Sequence, residues 1–195
     1  MADLEALIDL VKRRGHREFE QPVRLASGNW SRHFVDVKRA LADGADARLA
    51  AELLIERVGA GVGAFDAVGG LTMGADVVAY TVAVVAGRGV EWFSVRKAPK
   101  ERGTQQRVEG ATLGEGRRVL LVEDAVTTGG SIADALEAVR ETGAVVVAAA
   151  TVVDRGEFAA ALFGREGIPY FPLLTYRDLG IPPIGSEADA GSAQS

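Results

Sequence analysis

Residues 118–134 read Arg-Val-Leu-Leu-Val-Glu-Asp-Ala-Val-Thr-Thr-Gly-Gly-Ser-Ile-Ala-Asp, and this stretch decides the fold. The apolar run over 118–122 predicts a buried strand, and the pattern over 131–141 predicts a helix. Between them lie two adjacent carboxylates, Glu123 and Asp124, and then a loop of small, hydroxyl-bearing and glycine residues. A strand, a short loop and a helix in this order form the repeating unit of a parallel α/β sheet.

The rest of the chain continues the alternation of strand and helix patterns. Strands are predicted over 90–95, 145–153 and 168–174, and helices over 4–11, 47–58, 71–86 and 157–165. Residues 19–39 are predicted to be extended, with a turn at Ser27-Gly28-Asn29. The sequence therefore predicts an α/β fold with a mainly parallel central sheet flanked by helices, whose ligands bind beyond the carboxyl ends of the strands.

Composition limits the class of protein. The 195 residues, 48% of them hydrophobic and 25% charged, are typical of one soluble globular domain. We expect a single domain over 1–184 and a disordered tail over 185–195, where the residues are small and polar. The 22 basic and 27 acidic side chains leave a net charge of −5, which disfavours nucleic-acid binding.

Other functional classes lack the residues that they need. The longest apolar runs, 77–86 and 144–153, are shorter than the roughly 18 residues of a membrane span. The absence of cysteine excludes disulfides and thiolate zinc sites and fits a reducing cytosol. The two histidines, His16 and His33, lie apart in sequence, and His33 is expected to be a plain surface residue. We therefore expect a cytoplasmic protein with no membrane or nucleic-acid partner.

The loop that follows the acid pair has the chemistry of a phosphate site. Residues 127–131 offer backbone N–H groups and hydroxyls at a helix N-terminus, without the lysine of a P-loop or a GxGxxG pattern. Because carboxylates repel phosphate, Glu123 and Asp124 are expected to bind something else nearby, such as the vicinal hydroxyls of a ribose. The stretch predicts a ribose 5-phosphate site; the alternative is an ordinary strand-to-helix turn with Ser131 as its cap.

The same stretch resembles the phosphoribosyl-diphosphate-binding motif of the type I phosphoribosyltransferases. Further segments, in the order in which that family has them, resemble the orotate phosphoribosyltransferases. They are a base-site segment at 25–36, a pyrophosphate loop at 68–74, a mobile catalytic loop at 95–103 that closes with 108–110, and a segment at 152–155 that reaches the base.

The resemblance implies a fold, a reaction and an assembly. It implies the type I phosphoribosyltransferase fold, with a small hood formed mostly by residues 1 to about 40. The implied reaction transfers the 5-phosphoribosyl group from phosphoribosyl diphosphate to orotate, which yields orotidine 5′-monophosphate and pyrophosphate in pyrimidine biosynthesis. The implied cofactor is Mg²⁺, held mainly by the substrate and not directly by the protein. The implied assembly is a homodimer in which the loop at 96–109 acts in the partner's active site.

The resemblance also assigns site residues. The catalytic residues it implies are Lys100, Arg102 and Asp124. Those for phosphoribosyl diphosphate are Arg96, Lys97, Lys100, Arg102, Glu123, Asp124, Ala125, Val126, Thr127, Thr128, Gly129, Gly130 and Ser131. The pyrophosphate loop comprises Gly70, Leu71, Thr72, Met73 and Gly74. Those for orotate are Phe34, Thr127 and Arg155.

Two of the orotate residues have ordinary structural alternatives. A guanidinium at Arg155 matches a carboxylate in bidentate fashion, but it could instead form a salt bridge with Asp154 or Glu157. Phe34 could pack on the pyrimidine ring or belong to the core.

Three positions depart from the family pattern. Ala26 and Met73 stand where many members carry lysine, and Arg102 stands where histidine is usual. Arginine can bind phosphate but cannot donate a proton near neutral pH. Ala26 and Met73 leave open a phosphoribosyltransferase for another base, such as a purine. A third reading is a non-catalytic regulator that senses phosphoribosyl diphosphate. The cations of the 96–109 loop count against both alternatives, and Arg155 counts against the purine enzyme.

Overall fold

The N-terminal part of the chain forms a helix and a two-stranded antiparallel sheet. The structure is a computed structural model and describes residues 2–25, 27–98 and 107–186. The elements are helix α1 (Ala2–Leu10), a π-helical turn (Val11–Gly15), strands β1 (His16–Arg24) and β2 (Trp30–Val35), and helix α2 (Val37–Ala40). We refer to this part as the hood. Its assignment to one domain with the rest of the chain remains a prediction.

Residues 19–39 were predicted to be extended. The prediction is confirmed for β1 and β2, but it is wrong at the short helix α2. The side chain of Asp36 accepts a hydrogen bond from the backbone N–H of Arg39 at 3.2 Å and so caps a short helix.

The remaining elements build the α/β body. They are α3 (Gly44–Val62), β3 (Ala67–Leu71), α4 (Gly74–Ala86), β4 (Glu91–Val95), β5 (Val108–Gly110), β6 (Arg118–Val126), α5 (Gly130–Arg140), β7 (Val145–Asp154), α6 (Phe158–Glu166), β8 (Tyr170–Thr175) and α7 (Tyr176–Leu179). Within the described residues, six strands form one sheet in the order β5-β4-β3-β6-β7-β8. All neighbours are parallel except β4 and β5, which confirms the predicted fold class.

The alternation of apolar residues along the strands covers both faces of the sheet. On β6, Leu120 and Val122 pack in the core layer that contains α3 and α4, while Val119 and Leu121 pack in the layer that contains α5 and α6. Because successive side chains of a strand point to opposite faces, a continuous apolar run is what a strand buried between two helical layers requires.

Several predicted boundaries are shifted by a few residues, and two of the shifts bear on the site. The helix predicted over 71–86 begins at Gly74, because Leu71 still pairs with Val95 in the sheet. The strand predicted over 118–122 continues to Val126, because its last residues pair with β7.

The topology creates a crevice beside the acid pair. The chain passes from β3 to its neighbour β4 on one side, and β6 then joins the other side of β3. The connections that follow β3 and β6 therefore leave in opposite directions, and ligands of open α/β sheets bind at such a switch point.

The ends of the chain bear on two further expectations. Gly185 and Ser186 close a turn in which Ser186 N–H donates to the Pro183 carbonyl at 3.2 Å. Residues 187–195 of the predicted tail lie outside the described residues. Of the helices in the described part of the chain, none is both long and apolar enough to cross a bilayer.

Candidate functional site

A cavity of about 430 Å³ opens at the carboxyl end of β6, between the sheet and the hood. Most of its wall is the continuous segment 123–132, which contains the acid pair and the glycine loop. The hood contributes Leu25, Ser27, Phe34, Val35 and Lys38, and the other contributors are Lys97 and Arg155. The fold thus brings residues from four separate parts of the sequence to one pocket.

The floor of the cavity is a helix N-terminus. Gly129 precedes helix α5 with φ of 75°, a left-handed conformation that a residue with a side chain adopts only with strain. The first helical hydrogen bond runs from Ala133 N–H to the Gly129 carbonyl at 3.0 Å, so the N–H groups before it lack an acceptor within the helix. These N–H groups and the positive end of the helix dipole suit a phosphate group.

The acid pair is largely neutralised in the folded chain. Glu123 is 4% exposed and Asp124 is 8% exposed. Burial, and then the negative charge of Asp124, raise the pKa of Glu123 to about 9, so Glu123 is protonated at neutral pH. A protonated carboxyl donates a hydrogen bond as well as accepting one, and it does not repel a nearby phosphate.

Lys38 of the hood compensates the second carboxylate. Its ammonium lies 3.1 Å from Asp124 Oδ2 and 3.5 Å from Asp36 Oδ1. Burial alone would lower the pKa of Lys38, but Asp124 and Asp36 outweigh it and raise the pKa. The pocket can therefore accept an anion without the repulsion that two ionised carboxylates would exert.

The loop between β3 and α4 lies against the acid pair. A Cβ atom added at Gly74 would fall 2.7 Å from Glu123 Oε1 and still closer to Asp124 Oδ1, so a side chain there would force the two carboxyl groups to shift. The loop is braced by Asp76, whose carboxylate accepts from the hydroxyls of Thr72 and Ser94, each at 2.7 Å. Met73, in contrast, is 71% exposed.

Arg155 is built into the opposite wall and fixed to the hood. Its side chain is 1% exposed, and Nη1 donates to the His33 carbonyl at 2.9 Å. Asp154 and Glu157 have other contacts: Tyr170 donates to Asp154 at 3.0 Å, and Arg177 lies 3.4 Å from Glu157. These partners of Asp154 and Glu157 differ from the predicted alternative, in which Arg155 pairs with one of the two acids.

The basic loop is described only at its two ends. Lys97 lines the cavity, whereas Arg96 lines a neighbouring cavity of about 390 Å³ and lies 3.8 Å from Glu109. Lys100 and Arg102 lie outside the described residues, as does Ala26. Their implied roles stay predictions.

The comparisons with known proteins agree with this geometry. The profile of the phosphoribosyl transferase domain family matches residues 38–161. The orotate phosphoribosyltransferase of Streptomyces avermitilis is 49% identical over 163 residues, which cover 82% of this chain and 88% of that protein. The chain belongs to the orotate phosphoribosyltransferase family. Two crystal structures of the Mycobacterium tuberculosis orotate phosphoribosyltransferase are also similar. The complex with Fe(III) dicitrate has a TM-score of 0.79 at 39% identity, and the complex with 5-phospho-alpha-D-ribosyl 1-diphosphate has 0.75 at 37%; each covers 92% of this chain and 99% of that chain.

Membership of the orotate phosphoribosyltransferase family confirms the type I phosphoribosyltransferase fold expected from the motifs. Of the site residues that the family resemblance implied, the pocket gathers Phe34, Arg155, Lys97 and the segment from Glu123 to Ser131. Phe34 is 42% exposed, so it does not belong to the buried core. Arg96 and the whole predicted pyrophosphate loop, residues 70–74, are not in the wall of this cavity.

Sequence reasoning missed Lys38 and the pairing of the histidines. Lys38 lies 86 positions from Asp124, and the only available signal was its position just after the base-site segment. The rings of His16 and His33 stack with centroids 5.3 Å apart, and His16 Nε2 lies 3.0 Å from His33 Nδ1. Burial, and then the positive charges of His33 and Arg155, lower the pKa of His16. His33 is therefore not the plain surface residue that was expected.

Proposed function

We propose that this protein catalyses the transfer of the 5-phosphoribosyl group from phosphoribosyl diphosphate to orotate, giving orotidine 5′-monophosphate and pyrophosphate for pyrimidine biosynthesis. The observation that carries the proposal is the single cavity that joins a phosphate cradle, a neutralised acid pair and the Phe34–Arg155 wall. The family of the chain supports the same reaction.

The ribose 5-phosphate end of the donor fits the segment from Thr127 to Ser131. The N–H groups at the start of α5 bind the phosphate oxygens, and the hydroxyls of Thr127 and Thr128 add further donors. The ribose hydroxyls then face the acid pair, where Asp124 accepts and protonated Glu123 can donate. Asp124 also stabilises the positive charge that develops on the ribose in an oxocarbenium-like transition state.

The pyrophosphate end fits the loop that contains Gly74. Gly74 lets the backbone approach the acid pair, and Lys97 supplies a positive charge at the cavity wall. We propose that Lys100 and Arg102 add charge from the loop and stabilise the leaving pyrophosphate electrostatically.

Mg²⁺ is the proposed cofactor, and the donor set fits it. The oxygens of Asp124 are hard ligands of the kind Mg²⁺ prefers, but Asp124 is already paired with Lys38 at 3.1 Å. The ion is therefore held mainly by the diphosphate of the substrate. When bound, it neutralises charge on the leaving group.

The base binds between Phe34 and Arg155. The Phe34 ring is open to the cavity, and the contact of Arg155 with the His33 carbonyl holds the guanidinium at the wall. A guanidinium held in this way favours a carboxylate-bearing pyrimidine over an uncharged purine. Thr127 completes the base site.

The proposed active assembly is a homodimer in which the 96–109 loop acts in the partner's site. An exposed apolar face supports a second copy of the chain as the occupant: Tyr80 is 57%, Val84 58% and Trp92 39% exposed. Tyr80 and Trp92 contact edge to face with centroids 6.0 Å apart, so they present one continuous patch. Because both substrates are charged metabolites, we place the reaction in the cytoplasm.

A direct assay tests the reaction. Purified protein with Mg²⁺, phosphoribosyl diphosphate and orotate should release pyrophosphate and consume orotate. Adenine, hypoxanthine, xanthine and uracil should react poorly in the same assay. A preference for a purine would establish the alternative base, and tight donor binding without turnover would indicate the sensing regulator.

A further inference from the structure

A further cavity, of about 420 Å³, is lined only by residues of the hood. We call it the hood pocket. Its charged wall comes from three elements: Arg14 from the π-helical turn, Arg17 and Arg24 from β1, and Arg39 from α2. Arg14 and Arg17 belong to the basic stretch Lys12–Arg17, and the fold adds Arg24 and Arg39 to them.

The arginines of the hood pocket face little negative charge. The carboxylate in its wall, Asp36, already accepts from the Arg39 N–H at 3.2 Å and pairs with Lys38 at 3.5 Å. Arg14 pairs with Asp46 at 2.6 Å. Four guanidinium groups around one cavity repel one another, in a chain whose net charge is −5. An anion bound among them would remove that cost.

Two of the four side chains are available for a ligand. In the described part of the chain, the guanidinium groups of Arg24 and Arg39 form no hydrogen bond or ion pair. Arg17 stacks on the Phe19 ring, with its guanidinium carbon 5.1 Å from the centroid, which orders it at the pocket wall.

The rest of the wall is apolar and partly aromatic, with Phe19, Val23, Leu25 and Phe34. The backbone that carries it is tied together, because Asp36 N–H donates to the Gly15 carbonyl at 2.9 Å and joins the π-helical turn to α2. Single π-helical turns occur often at functional positions. We propose that the hood pocket binds an organic phosphate with a planar ring, a nucleoside monophosphate by class, with its phosphate on Arg24 and Arg39 and its ring against the apolar wall.

Leu25 and Phe34 line both the hood pocket and the candidate active site. The proposal therefore includes a coupling through this shared wall: a ligand that moves Leu25 or Phe34 from one side would change the affinity on the other side, and by the same factor in both directions.

Calorimetry on the full chain tests the proposal, with uridine 5′-monophosphate as the probe. Saturating phosphoribosyl diphosphate, without orotate, keeps the active site occupied, so the remaining heat reports the hood pocket. We expect one probe molecule bound per chain, with an affinity that falls as salt rises. The double substitution Arg24→Gln and Arg39→Gln should weaken binding about tenfold, equivalent to about 1.4 kcal/mol.

The matched control is Arg48→Gln, an exposed arginine on α3 that pairs with Glu52 at 3.1 Å and lies outside both cavities. It should bind the probe as the parent protein does. Circular dichroism establishes that each variant is folded. Because lysine keeps the positive charge, the double variant Arg24→Lys and Arg39→Lys should retain most of the affinity for the probe. Absence of heat with the donor-loaded protein, equal affinity in the glutamine double variant, or equal affinity for inorganic phosphate would each overturn the proposal. Orotate turnover is measured separately and without the probe, so a failure of this proposal is distinguishable from a failure of the proposed function.

Discussion

Replacing Arg107 with glutamine should slow turnover while leaving donor binding intact. The guanidinium of Arg107 lies 3.0 Å from Asp134 Oδ2 in helix α5, and its Nε donates to the Arg96 carbonyl at 3.2 Å. Arg96 N–H in turn donates to the Arg107 carbonyl at 2.8 Å. Arg107 thus joins both ends of the basic loop to the helix whose N-terminus forms the phosphate cradle. We infer that Arg107 is a positioning residue for the basic loop.

The size of the effect follows from the geometry. At 3.0 Å and an effective dielectric constant of about 20, the Coulomb attraction is about 5.5 kcal/mol. The Arg107 side chain is 18% exposed and Asp134 is 42% exposed, so desolvation and solvent screening offset most of that attraction. A net coupling of about 1 kcal/mol remains, which corresponds to about fivefold in rate if the loop must be aligned for the chemical step.

A double-mutant cycle measures this coupling. Arg107→Gln, Asp134→Asn and the double variant are compared with the parent protein for kcat, KM for orotate and calorimetric Kd for phosphoribosyl diphosphate. Each single variant should lower kcat about fivefold with the Kd of the donor within about twofold, and the double variant should be no worse than either single variant. The control is Arg140→Gln at the far end of the same helix, where Arg140 pairs with Glu166 at 2.8 Å. Additive losses in the cycle, or a loss of donor binding at unchanged kcat, would refute the positioning role.

Three further perturbations probe the site, its titration and its assembly. Gly74→Ala should weaken the binding of phosphoribosyl diphosphate at least about tenfold, measured by calorimetry, because its Cβ would displace the carboxyl of Glu123 2.7 Å away; normal affinity would show that the loop can relax. The pKa of Glu123 is raised from 4.5 to about 9 in the folded chain, so between these pH values the native state holds a proton that the unfolded state has released. The free energy of unfolding should therefore fall as the pH rises from 4.5 to about 9, by up to about 1.4 kcal/mol per pH unit. Glu123→Gln should flatten that slope in urea unfolding, and an unchanged slope would locate the proton elsewhere. Val84→Glu should shift the protein toward monomer in sedimentation, since a charge at the exposed apolar face opposes its burial; an unchanged dimer would place the interface on another surface.

The local elements were predictable because their signals are contiguous. The apolar run of β6, the glycine loop and the start of α5 follow one another within 118–134, and each has its own short-range pattern. The boundaries failed where pairing overrides local preference. Leu71 was predicted as the first residue of a helix, yet its parallel pairing with Val95 of β4 keeps β3 in the sheet up to Leu71, although the pairing of β3 with β6 ends at Gly69.

The sequence by itself determined the fold class, the family and the segment that carries the phosphate cradle with its acid pair, because each depends on residues that are neighbours along the chain. Only the tertiary structure decided which charges meet at the site and which elements form its walls. Lys38 meets Asp124 across 86 positions, and Arg155 meets the hood strand across 122. The gathering of Arg14, Arg24 and Arg39 into one cavity is likewise a result of packing. No periodicity encodes such contacts, since they arise only when separate elements dock and bring their side chains within hydrogen-bonding distance.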